Sequence, residues 1–311
     1  MKTMKLYVTG GGGFVGQVLL NSIAEEKGGW EGIELVGTKS IDILDSDALT
    51  QDIATSEPDA LIHLAALSNV PEAIANPPSA AQVNVIGTIN VVEAVARRGG
   101  RCRLLHVGSS DEYGLITPED LPVSESKALS PRNPYAASKA AAEMFVLERV
   151  RRTGMPAVCA RAFNHTGPGQ RQSFVFPSIA NQLASIALGL QSEIILGDID
   201  VTRDFLDVDD VLAAYRTLIG RGVDGEVYNV CSGREFKVRD GIAIMAAALG
   251  IQPEIRSDTS LMRRGEQRRV CGDNSKIRHL GWEPRIPIED TLRRLALYAL
   301  EQKSKNKETT R

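Results

Sequence analysis

Tyr135 and Lys139 stand four residues apart in the run Arg132-Asn133-Pro134-Tyr135-Ala136-Ala137-Ser138-Lys139. Asn133 suits an N-cap and Pro134 the first helical position, so the run opens a helix and the pair shares one face. An ammonium beside a phenol stabilises the phenolate and lowers its pKa from about 10, which suits acid/base work on a hydroxyl or ketone. A surface Tyr/Lys pair is the plainer alternative, and these two residues alone do not decide between them. In His106-Val107-Gly108-Ser109-Ser110-Asp111-Glu112-Tyr113-Gly114 an apolar strand runs into a polar turn, where a serine hydroxyl could bond the oxygen that Tyr135 serves. Thr9-Gly10-Gly11-Gly12-Gly13-Phe14-Val15-Gly16 spaces Gly10, Gly13 and Gly16 as GxxGxxG after a first strand and at the start of a helix. That context gives a tight turn, close backbone approach and a helix N-terminus for a pyrophosphate, with Phe14 and Val15 in the same turn.

These groups need a frame that brings them together. Short β-branched runs at Leu6-Tyr7-Val8, Ile33–Val36, Ala60–Leu64, Leu104–Val107 and Ala157–Ala160 alternate with helical patterns at Phe14–Ala24, Asp47–Thr55, Ala80–Arg97 and Pro134–Arg152. The alternation predicts an α/β, doubly wound parallel (Rossmann) sheet with ligands at the carboxyl ends of its strands. After Gly167 the pattern loosens into helices at Phe176–Leu188, Val208–Ile219, Arg239–Leu249 and Ile288–Leu300, with a strand at Val227–Val230. We expect a dinucleotide-binding part over residues 1–166, a smaller substrate lobe over 167–302 interleaved with the sheet, and a frayed tail over 303–311.

The second strand runs into Gly37-Thr38-Lys39-Ser40 with no acidic residue for a ribose 2′-hydroxyl. Thr38 and Lys39 could instead hold a 2′-phosphate, so NADP(H) is favoured and NAD(H) stays possible. Asp42 and Ile43 follow as candidates for the adenine edge.

Composition sets outer limits. With 36 Lys+Arg against 39 Asp+Glu the net charge is −3, too neutral for a protein whose main partner is nucleic acid. No run approaches the ~20 apolar residues of a membrane span. The four cysteines lack metal-ligand spacing, so no metal site is expected, and a cytoplasmic protein fits their pattern. Glycine, 28 of 311 residues, is enriched mainly through the turn after the first strand.

The TGxxGxxG start, the serine-rich strand end with Tyr113-Gly114, and YxxxK resemble, in order and spacing, the extended short-chain dehydrogenase/reductase family in its sugar-nucleotide epimerase/dehydratase branch. The resemblance covers residues 4 to about 300. It implies Ser109 as the hydroxyl partner of Tyr135, with Ser110 as the fallback, and Lys139 as a tuner of Tyr135 that also holds the nicotinamide ribose. It further implies cofactor contacts from Leu64, Ala65 and Ala66 and from the segment with His165, and a homodimer through the helices Ala80–Arg97 and Pro134–Arg152, whose small face at Ala136, Ala140 and Ala141 would allow close packing. Phe163-Asn164-His165-Thr166-Gly167-Pro168-Gly169-Gln170, Val201-Thr202-Arg203-Asp204-Phe205, Arg263-Arg264-Gly265-Glu266 and Leu280-Gly281-Trp282-Glu283-Pro284 are similar to the GDP-sugar members, the reductases more than the dehydratases.

That likeness implies a GDP-sugar substrate contacted by Ser110, Asp111, Asn164, Val175, Arg203, Arg263 and Glu266, with guanidinium forks on the diphosphate. Dehydratases of this kind carry a glutamate two residues before the Tyr of the YG pair; Asp111 stands there, one methylene shorter, with Glu112 after it. The expected reaction is therefore NAD(P)H-dependent reduction of the 4-keto group of GDP-4-keto-6-deoxy-D-mannose to GDP-D-rhamnose. A GDP-mannose 4,6-dehydratase, another sugar-nucleotide epimerase and a non-catalytic nucleotide sensor are the alternatives.

Overall fold

The computed structural model describes residues 3–37, 41–258 and 267–309, with side chains to 305. The first half alternates as expected: β1 (Met4–Thr9), α1 (Phe14–Ala24), β2 (Ile33–Gly37), α2 (Ser46–Ser56), β3 (Ala60–His63), α3 (Val70–Ala75), α4 (Pro77–Ala81), α5 (Gly87–Ala96), β4 (Arg103–Ser109), α6 (Pro134–Thr153) and β5 (Ala157–Ala162). The second half adds β6 (Asn164–Thr166), α7 (Val175–Ala187), β7 (Glu193–Leu196), β8 (Thr202–Asp207), α8 (Val208–Arg221), β9 (Val227–Val230), β10 (Glu235–Lys237), α9 (Val238–Ala248), β11 (Glu254–Ser257), α10 (Ser275–Arg278) and α11 (Ile288–Thr309).

A parallel sheet of order β2-β1-β3-β4-β5-β9 forms the centre. Successive side chains of a strand point to opposite faces. Leu6 and Val8, Ile62, Leu105, Val158 and Ala160 therefore face a core shared with Leu19 of α1 and Leu212, Tyr215 and Leu218 of α8. Tyr7, Leu61, Leu104, Ala157 and Cys159 face the opposite core, with Leu49 and Ile53 of α2, Val91 and Val95 of α5 and Val146 of α6. Burial on both faces explains why these strands read as continuous apolar runs rather than alternating ones. The strand order reverses between β1 and β3, which puts the ligand crevice at their carboxyl ends.

A second core joins α7, α9 and α11 with β7, β8 and β10 through Phe176, Phe205, Phe236, Ile242, Met245 and Leu292. The chain does not stay there, because α8 returns to the central sheet and β9 extends it beside β5. The strands β6, β7, β8, β10 and β11, at three to six residues each, carry too little periodicity to be read from sequence.

The helix expected over Ala80–Arg97 is present as α4 and α5 joined without interruption by a π-helical turn over Gln82–Ile86. One local expectation is corrected. The polar tail expected to fray continues α11 through Thr309, where the Glu301–Lys305 pair one turn apart supports it. Among the described residues no helix is long and apolar enough to cross a membrane.

Candidate active site

Gly10 closes β1 at φ +75°, and a Cβ there would lie 2.5 Å from the Ala65 nitrogen. The backbone after β3 therefore presses against the glycine turn across the switch point. A Cβ on Gly16 would lie 2.4 Å from the Gly10 carbonyl oxygen, so the α1 helix also needs glycine to sit this close. Gly13 is the N-cap of α1 and supplies no side-chain cap, while a Cβ at Gly12 would meet nothing within 4 Å. The first N–H groups of α1 thus have no side-chain cap and a favourable dipole, a cradle that fits a pyrophosphate. Phe14 and Val15 form the first turn of α1; a Cβ on Gly167 would lie 3.4 Å from Phe14, which brings the segment after β6 beside the same turn.

The floor of the switch point is a threonine–histidine chain. Thr88 Oγ1 donates to the Asn84 carbonyl oxygen at 2.6 Å and so accepts from His63 Nε2 at 3.0 Å. His63 Nδ1 then accepts from Thr9 Oγ1 at 2.7 Å, and Thr9 Oγ1 in turn accepts the Ala65 N–H. Burial drives the His63 pKa down to about 3, so it stays neutral. Leu64 N–H bonds the Thr9 carbonyl, which fixes the Leu64-Ala65-Ala66 segment along the crevice.

Ser109 ends β4, and its turn is a capping box. Its Oγ accepts from Asp111 N–H at 3.2 Å, while its own N–H donates to Glu112 Oε1 at 2.6 Å. Tyr135 lies in the first turn of α6, whose N-cap Asn133 accepts the Ala136 N–H at 2.8 Å, as its sequence implied. The Ser109 hydroxyl and the Tyr135 phenol are close enough for Ser109 to lower the Tyr135 pKa, and Lys139, 4% exposed, sits one turn further along. Burial first, and the Asp111 charge second, raise the Tyr135 pKa above its ordinary value, against the opposing Ser109 hydroxyl. A phenol that keeps its proton in this way is a proton donor. Burial lowers the Lys139 pKa, with the Glu112 carboxylate opposing that shift.

Beneath this set lies a buried ionic cluster that the sequence reading did not assemble. Arg161 of β5 grips Glu143 of α6 through Nε at 3.0 Å and Nη2 at 2.6 Å, and stacks 4.8 Å from the Tyr113 ring centroid. Asn84, in the π-helical turn, accepts from Leu67 N–H at 2.8 Å and donates to Leu67 O and Ser138 Oγ. It ties the loop after β3 to the helix that carries Lys139. The available signal was a polar residue inside the apolar run Val83-Asn84-Val85-Ile86.

Asp42 is exposed and accepts the Leu44 N–H, while the Ile43 side chain is buried against Gly87, leaving only its backbone for a base edge. His165 of β6 donates through Nδ1 to the Phe163 carbonyl at 2.9 Å; burial lowers its pKa, so Nε2 is an acceptor. Ser110 is 8% exposed, Asp111 is exposed beside Tyr135, Asn164 is exposed on β6 and Val175 opens α7 with 41% exposure. Arg203 on β8 donates to the Thr202 carbonyl. Thr38, Lys39, Arg263 and Glu266 lie outside the described residues.

Comparison with known proteins agrees with this layout. The family model described as GDP-mannose 4,6 dehydratase matches residues 7–295. GDP-6-deoxy-D-mannose reductase of Pseudomonas aeruginosa is 43% identical over 293 residues, covering 94% of this chain and 95% of that protein. UDP-glucose 4-epimerase of Mycolicibacterium smegmatis is 30% identical, covering 92% of this chain and 96% of that protein. A solved structure of RMD from Pseudomonas aeruginosa complexed with NADPH superposes with a TM-score of 0.90 at 42% identity, covering 96% of this chain and all of that one. A glycine turn at the switch point, a Ser–Tyr–Lys set beside it and a match over nearly the whole chain leave one assignment: the chain belongs to the GDP-mannose 4,6 dehydratase family.

Proposed function

We propose that the protein reduces the 4-keto group of GDP-4-keto-6-deoxy-D-mannose to give GDP-D-rhamnose, with NADPH favoured over NADH. The observation that carries this reading is the convergence of the Ser109 hydroxyl and the Tyr135 phenol, with Lys139 one turn on and the uncapped N-terminus of α1 at the switch point. The bound nicotinamide supplies the hydride. Tyr135 gives its phenolic proton to the carbonyl oxygen as that oxygen gains charge. Ser109 donates to the same oxygen, and the Lys139 ammonium holds the nicotinamide ribose and stabilises the phenolate left behind. The cradle at Gly10, Gly13 and Gly16 takes the pyrophosphate, with Leu64-Ala65-Ala66 and His165 along the nucleotide. Residues 167–302 take the GDP-sugar, with Arg203 and Arg263 on its diphosphate.

Reduction is preferred to dehydration because Glu112 has no exposed surface and is tied to the Ser109 N–H, so it cannot take a proton from a ligand. Asp111 is the carboxylate at the site, and its presence keeps GDP-mannose dehydration as the second reading. Oxidation of NADPH on addition of the keto sugar, followed by NMR of the product, tests the proposal. No oxidation with either reduced cofactor refutes it, and conversion of GDP-mannose with bound NADP+ alone selects the dehydratase.

We also propose a homodimer through α5 and α6 and, since the four cysteines are free and buried, a cytoplasmic location. The contact differs from the one expected: Ala136 and Ala140 are buried within the protein's own core, whereas Met144 (61%) and Phe145 (45%) on α6 are exposed.

A further inference from the structure

Glu112 has no role in the reaction described above, yet the fold gives it a fully buried position under the catalytic serine. Gly108 makes room for it, since a Cβ there would lie 2.5 Å from Glu112 Oε1. Oε1 accepts the Ser109 N–H. Oε2 has no hydrogen-bond partner and lies 3.8 Å from Arg161 Nε, whose guanidinium is already committed to Glu143. The charged and titratable groups around it are Glu143, Lys139 and Tyr135 of α6, Arg161 and Cys159 of β5 and the adjacent Asp111 of its own turn. Arg161 and Glu143 neutralise each other in a bidentate pair. Among the described residues of this cluster, that leaves Lys139 as the buried cation without an ion-pair partner and Glu112 as the carboxyl that can answer it once ionised.

We infer that Glu112 is a positioning residue of the active site, which fixes Ser109 from beneath and supplies the negative charge opposite the Lys139 ammonium. This rests on the Ser109–Tyr135–Lys139 assignment. A buried ammonium without a counter-charge sheds its proton. Burial and the neighbouring Glu143 push the Glu112 pKa up to about 8, so its charge arrives in the alkaline range, where Lys139 is closest to losing its own proton. The same charge raises the Tyr135 pKa and so keeps the proton donor loaded.

The test is the pH profile of kcat/KM for the keto sugar at saturating NADPH. Glu112→Gln keeps an acceptor for the Ser109 N–H and removes only the charge, so its alkaline limb should move to lower pH by about 1 unit or more. Glu112→Asp, which keeps the charge, should leave the limb near that of the unmodified enzyme while lowering kcat. A Gln limb that coincides with wild type, or an Asp limb displaced as far as the Gln limb, overturns the inference. Should the Gln variant fail to fold, infrared spectroscopy of the unmodified holoenzyme provides the second reading. A protonated buried carboxyl should then lose its band as pH rises through about 8, and no titrating band overturns the inference. Tyr135→Phe in parallel separates the two claims: an active Phe variant removes the catalytic assignment, whereas an inactive one with an unmoved Gln limb removes only the role of Glu112.

Discussion

Replacing His63 by glutamine should flatten the acid limb of stability by a predictable amount. His63 is 1% exposed, bonded on both ring nitrogens to threonines and held neutral, with its pKa lowered to about 3. In the unfolded chain the same ring titrates near 6.5. A folded pKa below the unfolded one means that the unfolded state binds more protons throughout that window. The stabilisation is therefore present above about 6.5 and is lost as pH falls towards 3. At pH 5 the unfolded ring is almost fully protonated and the folded ring almost fully neutral, so one histidine removes about 2 kcal/mol between pH 7 and pH 5. The figure holds for any folded pKa below about 4, because the folded ring is then neutral at both pH values. Urea unfolding of the cofactor-free protein at pH 7 and pH 5 measures it. Whatever His63→Gln costs at pH 7, its further loss on going to pH 5 should be about 2 kcal/mol smaller than that of wild type. Equal losses in the two proteins would refute a neutral, buried His63.

Gly10→Ala should cost at least about 1 kcal/mol from its left-handed backbone alone and weaken NADPH binding roughly tenfold or more, because the new methyl group displaces Ala65; fluorescence titration reads the binding. Asn84→Leu leaves the Leu67 N–H and carbonyl and the Ser138 hydroxyl short of partners, for about 1–3 kcal/mol per buried group, and should lower kcat with stability. Urea unfolding and single-turnover rates check it. If the proposed homodimer forms through α6, the unmodified protein is a dimer in light scattering and Met144→Glu combined with Phe145→Glu should be a monomer with unchanged NADPH affinity; a monomeric unmodified protein refutes the dimer. A dimer that persists relocates the interface.

The order of elements around the site was legible because local signals agree with one another. Asn133 and Pro134 start α6 and Gly154 ends it at φ +70°, so the placement of Tyr135 and Lys139 on one helix follows from short-range rules. Gly10, Gly13 and Gly16 likewise follow from the need for backbone approach without side chains. The helix read over Ala80–Arg97 carries a π-helical turn at Gln82–Ile86, where Asn84 bonds to Leu67 and Ser138, residues 17 and 54 positions away, which no helical period records.

The sequence by itself determined the sheet, the glycine turn and the placing of Tyr135 and Lys139 on one helix face, since each depends on neighbours within a turn or a strand. Only the tertiary structure decided their electrostatics. Tyr135 beside Lys139 reads as an acidified phenol, yet burial and the Asp111 charge raise its pKa. Glu112 reads as one more residue of a polar turn, yet Gly108 and β5 enclose it with Arg161 and Lys139. Desolvation depends on everything that surrounds a group, and that enclosure comes from segments that meet only when the sheet is assembled.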